Sequence, residues 1–533
     1  MRHIILCLLL VITKSVHGSD PYPRNESIDI RNYLFRLELN DTTDRIAGEA
    51  TLTVRFKKSV TTFEIDLTGP DGQGRGMKVE NITSGGRILN FVHAGNRIKI
   101  DLPSAIQAGE DRNFTIWYQG IPDDGLIIGK NKFGDRGFFG DNWPDRAHHW
   151  LPCIDHPYDK ATVEFAIVAP AHYEVIATGK KVEESYLTKN QKLTRWKTSV
   201  ILPTKVITIG VAHFAISYEG LVSNVPMESW VYAENRNEGF KDYAMAAGPL
   251  SFFTDRIAPY PYEKLANVQS KTRWGGLENA GNIFYTENSV TGKGTIEGLL
   301  AHEIAHQWFG DSASEADWQH VWLSEGFATY MTQLYFEATY GRQRLIQGMQ
   351  SDRARVTAYY PQNPTPIVNE QLMDINKVLS TNTYQKASWV LHMLRHEMGD
   401  QKFWEGVKAY YQKYQLGNAL TDDFRNVMES VSRTDLKPFF QQWIFKAGHP
   451  QIDATWKYDA GKKIVILSIM QKQPVPFEFP LELSLEGAGR STEKVLINAK
   501  KQEFRFSSSQ KPSGLVLDPD TWLLFEGSVR ELK

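Results

Sequence analysis

The sequence predicts a multidomain α+β protein: an N-terminal β-sheet domain, a mainly helical central domain and a small C-terminal β-sandwich. Two changes of hydrophobic period carry that reading. Between residues 22 and 217 apolar side chains alternate with polar ones, as in Tyr33-Phe35-Leu37-Leu39, Ala50-Leu52-Val54-Phe56 and Phe114-Ile116-Tyr118. A period of two lines one face of a pleated strand, and the Asp, Gly and Asn clusters between these runs supply turns. From about 226 the pattern becomes helical and stays so to Phe445, with Gln385 to Glu397 and Leu420 to Val431 as examples. Lys446-Ala447-Gly448-His449-Pro450 then reads as a helix stop, which closes a central domain over 218–450. Alternation returns at Ile464-Ile466, Leu481-Leu483-Leu485, Val495-Ile497 and Phe504-Phe506, so 451–533 reads as the sandwich. A chain of 533 residues is long enough to give each unit its own core.

Residues 1–18 read as a signal peptide outside the fold. Arg2 provides a positive start, Ile4 to Ile12 forms an apolar run of nine, and Val16-His17-Gly18 offers small residues for cleavage. Nine residues cannot cross a hydrocarbon layer of about 30 Å. No later run reaches eighteen apolar residues, so no permanent membrane anchor is expected and the protein reads as secreted, extracellular or periplasmic. Once Cys7 is removed with the leader, Cys153 is the one cysteine left, which excludes an internal disulfide. With 60 basic and 62 acidic side chains the net charge is −2, which gives no electrostatic footprint for nucleic acid or anionic membrane. Asn25, Asn40, Asn81 and Asn113 stand in glycosylation sequons.

One motif points to chemistry. His302-Glu303-Ile304-Ala305-His306 sets two histidines four apart, on one face of a helix and about one turn from each other. Both imidazoles can then reach one metal ion. Glu325, in Trp322-Leu323-Ser324-Glu325-Gly326-Phe327-Ala328, reads as the start of a second helix that brings a third ligand. Three protein ligands and one open position describe a catalytic zinc site rather than a structural one. Glu303 projects beside the ligands, where a carboxylate can take a proton from water. Ile296, Leu299, Leu300, Ile304 and Trp308 supply the apolar face of the same helix.

Further segments carry a resemblance. Arg273-Trp274-Gly275-Gly276-Leu277-Glu278-Asn279-Ala280 lies upstream of the histidines, and Tyr384-Gln385-Lys386-Ala387-Ser388-Trp389 lies downstream. With the zinc motif, these resemble the aminopeptidase N family of gluzincins, which also contains the leukotriene-epoxide hydrolases. There a Gly-x-Met-Glu-Asn segment precedes the zinc helix and a Tyr-x-Lys-Gly segment follows it. His149-Trp150-Leu151-Pro152-Cys153-Ile154-Asp155-His156-Pro157 is similar to the family's Phe-Pro-Cys-Phe-Asp-x-Pro segment. The similar pieces span roughly 30 to 450 in the family's order. Leu277 stands for the usual Met and Ala387 for the usual Gly; neither change touches a reacting group.

The resemblance implies a thermolysin-like central domain holding one Zn(2+) per chain on His302, His306 and Glu325. It implies hydrolysis of the N-terminal residue from peptide substrates with a free N-terminus. Glu303 would act as general base and later protonate the leaving amine. Tyr384 would donate to the tetrahedral oxyanion. Glu278 would anchor the substrate ammonium, beside Asn279, while Gly275 and Gly276 let substrate backbone approach as an added strand. A further amine contact is expected from Asp141 or Asn142, where the family often has Gln or Glu. Cobalt or manganese could occupy the same ligands.

Other readings use the same scaffold. Epoxide hydrolysis is disfavoured because the relevant branch ends in helices, whereas this tail reads as strands; an open cleft admitting longer peptides is the matching expectation. A thermolysin-like endopeptidase gains nothing from the buried charge of Glu278. A non-catalytic binding protein predicts erosion of reacting residues that are all present.

Overall fold

The computed structural model describes residues 20–487 and 491–532. The leader expected at 1–18 therefore lies outside the described residues. An eight-stranded sheet forms the frame of the N-terminal domain. At its centre Ile28–Glu38 pairs antiparallel with Ile46–Phe56, placing Phe35 opposite Ala50, and parallel with Thr162–Pro170. The alternation seen in the sequence sends Tyr33, Phe35, Leu37, Leu52 and Val54 into one core, each at most 1% exposed. Four-stranded and three-stranded sheets complete the domain. Cys153 is buried and free.

The central domain departs from the sequence expectation at its start. It opens not with helices but with a five-stranded sheet made of Phe214–Val222, Val225–Tyr232, Leu265–Ser270, Asn282–Thr286 and the short Gly276–Leu277. The reason is burial on both faces. Every residue of Leu265–Ser270 is buried, Asn267 and Gln269 included, so no polar-apolar alternation marks the strand. The expected boundary at 217 also falls inside Phe214–Val222, which pairs along its length with Val225–Tyr232. The domain begins at that strand.

Helices follow. Trp322–Tyr340 is the central one, buried over most of its length, and it packs against Glu297–His306 and Ala387–Met398. Gly326 permits that approach, because a Cβ there would stand 2.5 Å from the Cβ of Ala387. The methyl group that Ala387 adds is thus accommodated by a glycine on the facing helix. No helix of the described residues is long and apolar enough to cross a membrane.

The C-terminal region has a four-stranded sheet, built on Gln451–Asp459 and Ile464–Gln471, and a three-stranded sheet centred on Phe479–Glu486. Trp456, Leu467, Leu481 and Leu483 turn inward into a shared apolar core that is continuous with that of the central helices. Arg353 of the helix Arg342–Tyr359 ties the two together by pairing with Asp518 and donating to the Leu523 carbonyl at 2.7 Å.

Candidate metal centre and its cleft

The helix Glu297–His306 sets the two imidazoles side by side, with Nε2 atoms 3.2 Å apart. From the first turn of Trp322–Tyr340, Glu325 brings Oε2 to 3.3 Å from His302 and 3.2 Å from His306. All three ligating atoms lie within 4.8 Å of one another. The ring orientation of His306 is set from behind: its Nδ1 faces the Phe309 carbonyl at 3.1 Å and the Ser324 hydroxyl at 3.0 Å. An Nδ1–H donating to that carbonyl leaves the Nε2 lone pair directed at the triad, the tautomer that a metal ligand requires.

Charge supports the same conclusion. Burial alone would lower the His306 pKa, but Glu325, then Glu278 and Glu303, raise it to about 10. A site with that surplus of negative charge is one that a divalent cation neutralises. Two imidazoles and a carboxylate are a donor set suited to zinc in a three-ligand catalytic geometry.

Glu303 lies against the triad and is 4% exposed. Burial, with the nearby Glu278 and Glu325 charges and against the pull of His306, holds its carboxyl well above the usual carboxylate range. It occupies space left by Gly276, where a Cβ would collide with its carboxylate. That glycine therefore serves Glu303. Gly275 has only the Leu299 side chain near its missing Cβ, at 3.9 Å, and remains open to an approaching backbone.

Tyr384 sits in a π-helical turn, Asn382–Lys386, that leads into Ala387–Met398. Its ring stacks on His302, with centroids 5.9 Å apart and planes 16° from parallel. Burial, followed by the Glu325 and Glu278 charges, keeps its phenol pKa well above the ordinary value, so the hydroxyl is a proton donor. Single π turns are common where a functional side chain must be re-aimed.

A cleft of about 240 Å³ joins these groups, with Trp274, Leu277, Leu299 and Leu379 as its apolar walls. Glu278 also lines it, 5% exposed, and its Oε1 has no hydrogen-bond partner among the described residues. Burial raises the carboxyl pKa, His306 and Lys205 work against that, and Glu325 adds to it.

Three sequence candidates lie elsewhere. Asp141 is fully buried, but both its oxygens are committed: one to Arg146, the other to the Thr272 hydroxyl at 2.9 Å and the Arg273 amide at 3.2 Å. It braces the chain just ahead of the glycine segment and is not among the cleft-lining residues. Asn142 donates to the carbonyls of Thr204 and Ile207 at 3.2 and 2.8 Å and accepts from Trp150 at 2.8 Å. Asn279 is buried beside Glu278 without lining the cleft. The polar atoms of Asp141 and Asn142 are thus engaged by Arg146, Thr272, Trp150 and backbone groups, and neither residue lines the cleft. Leu379 was missed, because a lone leucine in a loop carries no signal.

Two family models account for most of the chain. The peptidase M1 N-terminal domain matches residues 30–206 and the peptidase family M1 domain matches 243–443. The chain belongs to peptidase family M1. This M1 chain is 25% identical over 344 residues to glutamyl aminopeptidase of Mus musculus, covering 61% of the chain and 36% of the relative. It is 24% identical over 328 residues to aminopeptidase M1 of Arabidopsis thaliana, covering 59% and 37%. The matched stretch thus spans little more than a third of the length of either relative. An M1 zinc metallopeptidase from Deinococcus radiodurans shares the fold at TM-score 0.68 and 22% identity, over 80% of this chain and 95% of that one. A point mutant of that metallopeptidase, bound to a Tyr-Ser-Ala substrate, superposes at TM-score 0.70 with 23% identity, over 80% and 97%.

Proposed function

We propose that this M1 chain is a zinc-dependent aminopeptidase that hydrolyses the first peptide bond of substrates with a free N-terminus. One observation carries the reading: Glu278 lines the same cleft as the metal triad and Glu303, and one of its carboxylate oxygens is buried without a hydrogen-bond partner among the described residues. A buried charge without a partner is costly. An α-ammonium supplies the opposite charge as well as the hydrogen bond, and a mid-chain amide does not supply that charge.

Zinc, when bound, polarises the scissile carbonyl and brings the pKa of its water to about 7. Glu303 takes the proton of the attacking water and delivers it to the leaving amine. Its buried carboxyl, set against the triad, is placed to hold a proton between those two transfers. Tyr384 donates its hydroxyl to the developing oxyanion, where it adds no competing charge. Substrate backbone lies along Gly275, and the apolar walls exclude bulk solvent around the reacting bond. The names of the aminopeptidase relatives and the tripeptide bound by the Deinococcus mutant support this reading. The apolar run Ile4 to Ile12 supports a secreted enzyme, extracellular or periplasmic.

The test is release of aminomethylcoumarin from free and N-acetylated aminoacyl substrates, beside an internally quenched peptide with a blocked N-terminus. Cleavage of the free substrates alone, lost on chelation and restored by zinc, is the expected result. Cleavage of the blocked peptide would establish an endopeptidase instead.

A further inference from the structure

Gln307, the residue after the second histidine, is fully buried and lies outside the cleft. Its carboxamide nevertheless makes four hydrogen bonds. Nε2 donates to the Glu278 carbonyl at 2.9 Å and to Asp311 Oδ2 at 3.0 Å. Oε1 accepts from the Gly281 amide at 2.8 Å and the Tyr260 hydroxyl at 3.0 Å. Two of these partners are main-chain groups whose roles cannot reverse: a carbonyl only accepts, and an amide only donates. The orientation of the side-chain amide is therefore fixed, and every donor and acceptor it has is used.

The segment it holds is the turn that carries Glu278. That turn closes on itself through Asn279 N to the Leu277 carbonyl and Asn282 N to the Asn279 carbonyl, at 2.9 and 3.0 Å. On its far side Ala280 N donates to the Val206 carbonyl of the N-terminal domain at 2.9 Å. Toward the metal helix, Gln307 grips both ends of the turn, at Glu278 and Gly281. A carboxamide that continues the helix bearing His302 and His306 thus fixes where the Glu278 carboxylate stands relative to the metal ligands.

We propose that Gln307 is a positioning residue that sets the distance between the amine anchor and the metal, and with it the preference for a free N-terminus. The inference rests on the aminopeptidase reading. Glutamate at 307 would set a carboxylate oxygen against the Glu278 carbonyl. Leucine would leave the Glu278 carbonyl and the Gly281 amide unpaired, and asparagine is one methylene too short. Each change frees the turn without touching a group that meets substrate.

The test compares two ligands on the zinc-loaded protein by calorimetry: leucine hydroxamate, and its deamino analogue 4-methylpentanohydroxamate, which has the metal-binding group but no amine. Gln307→Leu and Gln307→Glu should weaken leucine hydroxamate about ten-fold or more and leave the deamino analogue within about two-fold. In a Glu278→Gln background, Gln307→Leu should have no further effect, since there is no anchor left to misplace. Equal weakening of both ligands would mean general damage to the metal site and would overturn the proposal. So would an undiminished amine preference, or effects of Gln307→Leu and Glu278→Gln that simply add. Failure of the parent reading looks different: the wild-type protein itself would bind the two ligands equally well.

Discussion

Asp141 and Glu278 are both buried carboxylates, and the sequence offers both for the same task of holding a substrate ammonium. The structure separates them. Asp141 is saturated by Arg146, Thr272 and the Arg273 amide, whereas Glu278 lines the cleft and keeps one oxygen without a partner among the described residues. Burial alone therefore does not mark a binding group. A buried charge with its partners complete is architecture, and one left incomplete marks a place for a ligand where it also lines a cleft.

The largest effect expected of any substitution falls on neither. Glu303→Gln keeps the shape of the base but cannot take a proton, so kcat should fall by roughly three orders of magnitude, within the range for general acid–base catalysis. Zinc content and substrate affinity should be retained, and loss of zinc would show that Glu303 is structural. Asp141→Asn should act on stability, at about 1.5–3 kcal/mol, because it removes the buried charge that pairs with Arg146 and leaves the guanidinium only the longer contact to Asp124 at 3.7 Å. Thermal unfolding checks the loss, and activity per folded molecule should stay near wild type; a variant that is stable yet inactive would place Asp141 in the machinery after all. Tyr384→Phe removes one oxyanion donor and should lower kcat about a hundred-fold with little change in KM, as steady-state kinetics will show.

A further effect lies in the N-terminal domain and sharpens the contrast from the side of architecture. His148 hydrogen-bonds Asp155 through Nδ1 at 2.7 Å. Burial opposes its charge, but Asp155, Asp66 and Asp145 together outweigh burial and raise its pKa to about 9. A raised folded-state pKa stabilises fully below the unfolded value of about 6.5 and is lost as pH climbs through about 9. Unfolding free energy should therefore drop between pH 6.5 and 9 by up to roughly 3 kcal/mol, and His148→Gln should flatten that slope.

Much of this was legible in the sequence, and the exceptions have physical causes. The metal triad could be read because helical spacing fixes His302 and His306 with no tertiary information. Strand alternation placed Tyr33, Phe35 and Leu37 inward for the same local reason. Leu265–Ser270 could not be read, because a strand buried on both faces loses its period. The role of Gly276 was also hidden: the glycine is needed for the Glu303 side chain, a contact that exists only once strand and helix have packed. Asp141 and Glu278 look alike in one dimension, and only the partners supplied by Arg146, Thr272 and the backbone tell them apart.

The most direct test of that distinction is kcat/KM of zinc-loaded Glu278→Gln on leucyl-aminomethylcoumarin, read beside its melting temperature. Replacing an unpartnered buried carboxylate should lower kcat/KM about a hundred-fold, on the scale of a lost desolvated ion pair, and leave the melting temperature unchanged or higher. Wild-type kcat/KM, or a melting temperature that falls as it does for Asp141→Asn, would contradict the account.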